Sequence, residues 1–160
     1  MGRIVTGLIL AIGWLLLLFV GTYPLFSLVI AAGGAVALYE FLRMSLSGAE
    51  SKYTFPILVV GLLPLIGASL WGSDGMTFSL FLAFIILVIL TVSVYSSLDN
   101  GLVFLCSQWF GIFYIGFCAA HLILLRSLPN GIFWLLMLTA ITVFSDTAAY
   151  YTGRKLGKTK

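Results

Sequence analysis

The chain has very little charge: of its 160 residues only 8% are Asp, Glu, Lys or Arg, and it contains a single histidine. Water-soluble domains carry roughly 25% charged residues. Hydrophobic residues make up 62% of the sequence, although a soluble domain of this size buries only about 70% of its chain surface. The scarcity of charge therefore excludes a soluble domain and a disordered chain, and it indicates an integral membrane protein.

Basic surface is equally scarce. The chain has eight Lys and Arg residues and a net charge of +3, and four of the eight lie in the last seven residues. No further basic patch extends that cluster, which excludes a nucleic-acid-binding surface. A cytoplasmic cluster that fixes membrane topology is the simplest interpretation.

Cysteine is nearly absent, since Cys106 and Cys118 are the only two. A helix would hold them about 18 Å apart, whereas a disulfide requires Cα atoms within about 7 Å. They therefore cannot pair with each other within one helix. No set of cysteines and histidines has the spacing of a metal site.

Long apolar stretches are what the sequence does contain. Six of them are separated by short polar or Gly/Pro-rich connections, and each is long enough to cross the roughly 30 Å hydrocarbon core of a bilayer as a helix. They predict one transmembrane domain over residues 1–160, an all-α integral membrane bundle of about six spans. The expected spans are 4–20, 25–42, 53–71, 76–95, 102–125 and 132–151. For the first stretch a signal peptide is the alternative, but it lacks a good cleavage site.

Three details inside these stretches carry structural expectations. Residues 31–37 are nearly all small, so the second span should pack closely against its neighbours. Pro64 should kink the third span, since it removes a backbone hydrogen bond. Residues 72–75 should form a tight turn before the fourth span.

Six spans place both termini on the same side of the membrane. That side would hold seven cations and the opposite side only Arg126, and seven plus one gives the eight Lys and Arg of the chain. Such a bias over short loops predicts that both termini are cytoplasmic. Asp146 would then lie near the cytoplasmic end of the sixth span.

Asp146 is the most informative single residue, because it is an acid inside an apolar stretch. An ionisable group in a membrane span costs roughly 2.5–3.5 kcal/mol on insertion scales, so it usually faces a protein interior or a wet cavity. Tyr150 and Gly153 follow on the same helical face, and Arg154 comes next. A carboxylate beside cations that can hold phosphates favours a phosphoryl-transfer site. The structural alternative is that Asp146 only pairs with Arg154 or a loop cation.

Other polar residues favour structural roles. His121 lies at the far end of the fifth span from Asp146, and we expect it to be a hydrogen-bonded histidine of the bundle. Gln108 is expected to join helices through a hydrogen bond. Residues 153–159 resemble a P-loop, but they are one residue too short and follow a membrane helix instead of a strand.

Residues 145–158 (SDTAAYYTGRKLGK) resemble the Asp-Ser/Thr-x-Ala-Tyr-x-x-Gly-Arg/Lys-x-x-Gly-Lys segment of bacterial phosphatidate cytidylyltransferases, also called CDP-diacylglycerol synthases. Residues 3–7 (RIVTG), 40–41 (EF) and 111–126 are similar to further stretches of that family and occur in the same order. The resemblance covers essentially the whole chain, and the C-terminal motif is its specific part.

The resemblance implies that the phosphate of phosphatidate attacks the α-phosphorus of CTP, assisted by Mg²⁺, to give CDP-diacylglycerol and pyrophosphate. It implies that Asp146 is a catalytic residue and a metal ligand. It also implies a multi-pass protein of the inner (plasma) membrane. The substrate-binding residues that it implies are Thr147, Tyr150, Gly153, Arg154, Gly157 and Lys158.

Family members carry further segments after this motif, among them a His-Gly-Gly-x-x-Asp-Arg-x-Asp signature that contributes acidic metal ligands. None of these segments occurs in the 160 residues, so we expect this chain by itself to be inactive. The sequence leaves the oligomeric state open, a homodimer included.

Two other functions fit a polytopic membrane protein. A transporter half or an assembly subunit would use Asp146 only structurally, although a transporter should show internal symmetry with paired broken helices, and the sequence shows none. A CTP-dependent kinase of the dolichol type would carry a different motif around Asp146.

Overall fold

The computed structural model describes residues 2–46, 48–98 and 100–156. Every regular element in these ranges is helical, which confirms the all-α class. The α-helices are α1 Gly2–Phe19, α2 Tyr23–Ser45, α3 Thr54–Gly61, α4 Leu63–Ser93, α5 Gly101–Gly111, α6 Cys118–Ser127 and α7 Gly131–Leu156. Short 3-10 helices at Gly48–Tyr53 and Tyr95–Ser97 and a π-helical turn at Ile112–Phe117 lie between them.

Four helical segments are long and apolar enough to cross a membrane. They are Tyr23–Ser45, Glu50–Ser93, Gly101–Ser127 and Gly131–Lys155, and a shorter apolar helix covers Val5–Phe19. Such lengths and compositions are those of a multi-pass integral membrane protein.

The longest of these segments reverses its direction at Gly72. Gly72 has φ 67° and ψ −146°, a backbone conformation that glycine reaches without steric cost and other residues rarely adopt. The predicted turn over 72–75 is therefore present, but a single residue makes it, because the chain is helical again from residue 73.

After this reversal the two arms of α4 pack against each other. Gly67 in the first arm lies so close to the second that an added Cβ would collide with the Gly75 carbonyl and with Ser79 Oγ. In an uninterrupted helix, residues 67 and 75 would be about 12 Å apart. The two arms are therefore antiparallel neighbours that touch through backbone.

Pro64 lies in the first turn of α4, a position where its missing N–H costs no hydrogen bond. The kink predicted from Pro64 takes the form of a break at Leu62, between α3 and α4. A second irregularity, the π-helical turn, brings Gly116 against α3, where an added Cβ would lie 2.8 Å from the Gly61 carbonyl oxygen. Close helix contact at small residues is typical of membrane bundles.

The small residues of α2 pack closely on one face only. Gly34 is buried, and a Cβ added there would lie 3.2 Å from Leu65 and 3.6 Å from Ala119. Gly33 is exposed and has open space around it. Successive helical residues point about 100° apart, so a run of small residues cannot present all its members to one neighbour.

Contacts between helix ends show that consecutive helical arms alternate in direction. At one end of the bundle, Arg126 Nη2 donates to the Gly21 carbonyl at 3.1 Å, and Tyr23 OH donates to the Ser69 carbonyl at 3.4 Å. At the other end, the side chains of Ser45 and Gln108 are 3.3–3.4 Å apart. The link before α2, the reversal at Gly72 and the link before α7 therefore lie together.

Candidate functional site

The helix that carries the sequence motif, α7, is anchored to the bundle by its first turns. Leu135 is fully buried against Leu18 and Phe26, at a cluster shared with α1 and α2. Trp14 Nε1 in α1 donates to Thr139 Oγ1 at 3.1 Å. These contacts fix the position and direction of the rest of α7, because a helix is rigid along its axis.

The second half of α7 leaves the bundle. All residues from 140 to 155 are exposed, so this stretch makes no buried contact within the described chain. The side-chain cluster that the motif forms there is called the α7 motif face below, and its described members are Asp146, Thr147, Tyr150, Gly153 and Arg154.

The members of the α7 motif face share one side of the helix, as predicted from their spacing. Asp146, Tyr150 and Gly153 follow at intervals of four and three residues, which places them one above the other. Thr147 and Arg154 form the adjacent row. From Asp146 to Arg154 the helix rises about 12 Å, long enough to line an extended phosphate chain.

Asp146 has an exposed carboxylate. Within residues 2–46, 48–98 and 100–156 it forms no ion pair, and Arg154 lies about two turns away, beyond direct reach. The structural alternative, in which Asp146 is neutralised by Arg154, is therefore not seen in the described chain. An unpaired carboxylate on a helix facing lipid is costly, so this position calls for a partner group or a ligand.

The neighbours of Asp146 leave space for such a ligand. Thr147 Oγ1 donates to the Val143 carbonyl at 2.7 Å, which turns its hydroxyl back onto its own helix. The Tyr150 side chain is 62% exposed, and nothing lies within 4 Å of a Cβ added to Gly153. The surface beside Asp146 is therefore open, and the Tyr150 side chain lies one turn further along the helix.

The helix α7 continues beyond the predicted span. That span was predicted to end at residue 151, and the helix runs on to Leu156. Gly153 lowers helix stability by only about 1 kcal/mol relative to alanine, and Arg154 and Lys155 in the last turn favour the negative end of the helix dipole. Gly157 and Lys158, the remaining predicted substrate-binding residues, lie outside the described residues.

The described residues contain no group of three or more His, Cys, Asp or Glu side chains that could hold a metal ion. Asp146 is the only carboxylate of α7. Mg²⁺ is commonly held by one or two carboxylates together with substrate phosphates. The α7 motif face can therefore offer Mg²⁺ one ligand, and the other ligands have to come from elsewhere.

His121 and Gln108 have the structural roles predicted for them. His121 Nδ1 is 2.9 Å from the Phe117 carbonyl oxygen, one turn back on its own helix. Gln108 is 1% exposed and faces Ser45 of α2, which joins α5 to α2. Cys106 and Cys118 are free, and both are exposed.

Arg126 has a more specific place than the sequence indicated. The sequence predicts only that Arg126 is the one cation on the side opposite the termini, and the structure adds that its side chain lines a cavity of about 520 Å³ at the start of α7. The one signal that could have singled it out is that it is the lone cation of its side of the predicted bundle.

Similarity to known proteins agrees with the motif. The model of the cytidylyltransferase family matches the chain over residues 1–160. A phosphatidate cytidylyltransferase from Bacillus subtilis (strain 168) is 32% identical over 167 residues, which cover 99% of this chain and 60% of that protein. The chain thus spans about 60% of the length of this relative. No solved structure matches it.

Proposed function

This chain belongs to the cytidylyltransferase family, and from that premise we propose that it is part of a phosphatidate cytidylyltransferase. The reaction joins CTP and phosphatidate. A phosphate oxygen of phosphatidate attacks the α-phosphorus of CTP, the bond from that phosphorus to the β-phosphate oxygen breaks, and pyrophosphate leaves as CDP-diacylglycerol forms.

The observation that carries this proposal is the unpaired, exposed carboxylate of Asp146 on the α7 motif face. Phosphoryl-transfer enzymes work mainly by positioning phosphates and by neutralising their charge. Arg154 offers a cation, Tyr150 a hydroxyl, and Gly153 the room for close approach. Gly157 and Lys158 are proposed to extend the same surface.

We propose that Asp146 contributes one ligand to a Mg²⁺ ion that is shared with the triphosphate of CTP. The bound ion would withdraw negative charge from the phosphates that react. In this chain Asp146 would hold the ion, while Arg154 and Lys158 would bind phosphate oxygens. Further acidic ligands are proposed to come from outside the described residues.

The decisive experiment changes Asp146 to Asn in the complete protein that carries this segment. Membranes containing the variant should lose CDP-diacylglycerol formation from CTP and phosphatidate by at least about 100-fold, the scale of removing one main electrostatic contact. Asp74→Asn, which alters an exposed carboxylate at the Gly72 reversal, is the matched control and should keep its activity. Wild-type activity in Asp146→Asn, at equal protein level, would remove Asp146 from the site.

We also propose that this is a plasma-membrane protein. It would cross the membrane six times, with both termini in the cytoplasm. Four candidate spans become five because Glu50–Ser93 reverses at Gly72, and the apolar α1 supplies the sixth. The excess of cations on one side supports the orientation. In this orientation the α7 motif face would lie near the cytosolic nucleotide pool.

Cysteine labelling tests this orientation. Cys106 and Cys118 are first changed to serine, and single cysteines are then introduced at the exposed residues Ser51 and Ser127. In intact cells, a membrane-impermeant maleimide should label Ser127→Cys and not Ser51→Cys, whereas both should react in opened membranes. The reverse pattern would place Asp146 on the outer side and contradict the proposal.

A homodimer stays a prediction. The bare second half of α7 offers a surface that a second copy or another part of a longer chain could cover. Crosslinking between two copies through a cysteine at Ala140, compared with one at the buried Ala83, separates these cases.

A further inference from the structure

The cavity at the start of α7, which we name the Arg126 cavity, lies at the opposite end of that helix from the α7 motif face. Asp146 is 15 residues beyond Gly131, or about 22 Å along the helix. The Arg126 cavity has a volume of about 520 Å³, and its lining residues are Phe19, Arg126, Leu128, Asn130, Gly131, Ile132, Phe133 and Leu136.

Arg126 brings positive charge into this cavity, and few contacts within the described chain engage its guanidinium group. Its Nη2 donates to the Gly21 carbonyl at 3.1 Å, and its Cζ lies 5.8 Å from the centre of the Phe26 ring. Its Nε is buried and has no hydrogen-bond partner. None of the carboxylates in the part of the chain that the structure describes forms an ion pair with it. A guanidinium has five N–H donors, so donors other than Nε and the one that Gly21 accepts remain for a ligand in the cavity.

The first turn of α7 adds one free backbone donor beside the guanidinium. The amides of Gly131, Phe133 and Trp134 donate to the carbonyls of Leu128 and Asn130. The amide of Ile132 has no acceptor among the described residues. An unpaired N–H group and the positive end of the dipole make the start of a long helix favourable for an anion.

Glycine at position 131 allows the two sets of donors to meet. A Cβ at Gly131 would lie 2.5 Å from the carbonyl oxygens of Leu125 and Arg126. Only a residue without a side chain lets α7 begin against the end of α6. This approach places the start of α7 beside the backbone of Arg126, whose side chain lines the same cavity.

The walls of the cavity indicate what kind of anion fits. Phe19 and Phe133 are 62% and 61% exposed, and with Leu136 they give the cavity apolar sides toward the membrane. A soluble phosphate gains nothing from apolar walls. A phospholipid would place its phosphate at the donors and its acyl chains along the apolar walls. From this combination we propose that the Arg126 cavity binds the phosphate group of an anionic phospholipid, in the leaflet opposite to the α7 motif face.

This lipid site does not depend on the catalytic proposal, because no residue is shared between them. A lipid bound in the Arg126 cavity would contact the link from α6 to α7 and the end of α1, and it would stabilise their packing. Arg126 is the donor expected to matter most, since hydrogen bonds from a charged group are the stronger ones.

Native mass spectrometry of the purified complete protein tests the proposal by counting the lipids that stay bound. Titration with dioleoyl phosphatidylglycerol should give a first binding step that Arg126→Gln weakens about tenfold, the size of one charge-assisted hydrogen bond. Arg43→Gln is the matched control, since Arg43 is an exposed cation at the other end of the bundle, and it should leave this step within about twofold. Equal binding by Arg126→Gln and wild type would overturn the proposal.

Asn130→Gly provides a second variant in case Arg126→Gln fails to fold. Asn130 has φ 60°, so glycine keeps the backbone while it removes a polar side chain from the cavity wall. Phosphatidylglycerol binding should weaken about threefold, as expected for a neutral hydrogen bond. Unchanged binding would count against the cavity.

Two ligand arms distinguish the source of the phosphate. Dioleoyl phosphatidylcholine should bind more weakly than phosphatidylglycerol, because no acid of the described cavity lining balances its cationic headgroup. Inorganic phosphate alone should not displace the lipid. Displacement by inorganic phosphate would identify a soluble-anion site and overturn the lipid assignment.

Discussion

The two halves of α7 belong to one continuous helix but have opposite surroundings. The first half is fixed by the buried Leu135 and by the Trp14 to Thr139 hydrogen bond. The second half, residues 140–155, is exposed throughout. In the most apolar window of this helix 6% of the residues are buried, against 28% to 33% in the other three candidate spans.

The first half of α7 thus contributes to the stability of the bundle, whereas the second half carries the residues of the α7 motif face. Helices in proteins owe most of their stability to packing of one face, not to intrinsic propensity, and the second half of α7 has no such packing. It persists because the first half is held and backbone hydrogen bonds extend the helix. Its side chains are therefore free to meet a ligand or another protein segment.

The largest effect is expected inside the bundle, from Gly67→Val. A Cβ at Gly67 collides with backbone of the facing arm, which cannot move aside without separating the two arms of α4. The variant should yield almost no monodisperse protein after detergent extraction, because overpacking against backbone cannot be relieved by rotating a side chain. Gly33→Val, at a glycine with open space around it, should behave as wild type. Normal yield of Gly67→Val would show that the Gly72 reversal is not held by this contact.

The next effect compares the two halves of α7 directly. Leu135→Ala removes a fully buried side chain and should destabilise the protein by about 2–5 kcal/mol. Ile141→Ala removes a side chain that is 55% exposed, and its effect should stay within about 0.5 kcal/mol. Thermal unfolding in detergent measures both. Equal destabilisation would mean that the second half is also packed in the complete protein.

A smaller effect concerns substrate binding at the bare half. Arg154→Gln in the complete protein should raise the KM for CTP about tenfold, because it removes one charge-assisted contact to phosphate. Lys52→Gln serves as the control, since Lys52 lies 5.0 Å from the centre of the Tyr53 ring and has no proposed substrate role. An unchanged KM for Arg154→Gln would exclude this contact.

The smallest effect concerns the anchor of α7. Trp14→Phe removes the hydrogen bond to Thr139 and keeps most of the aromatic packing, so a loss of about 1 kcal/mol is expected. Trp134→Phe changes a tryptophan that is 45% exposed and should have less effect on thermal unfolding. The opposite order would place the anchor of α7 elsewhere.

Much of this architecture was accessible from local sequence patterns. The apolar stretches, the glycine turn near residue 72 and the hydrogen-bonded His121 are all where the sequence predicted them, since hydropathy, glycine and local hydrogen bonding act over a few residues. The sixth span was predicted to end at residue 151, and the helix that contains it continues to Leu156, because a glycine next to basic residues can remain helical.

By itself the sequence determined that this protein is a helical membrane protein with an acid and cations at one end of its last helix, because charge scarcity and periodicity are properties of the chain. The tertiary structure decided that α4 folds back at one glycine, that Asp146 has no partner in the described chain, and that Arg126 faces a cavity with free donors. These features depend on how closely separate helices approach each other. Such distances are set by side-chain fit between residues far apart in sequence, which no local pattern encodes.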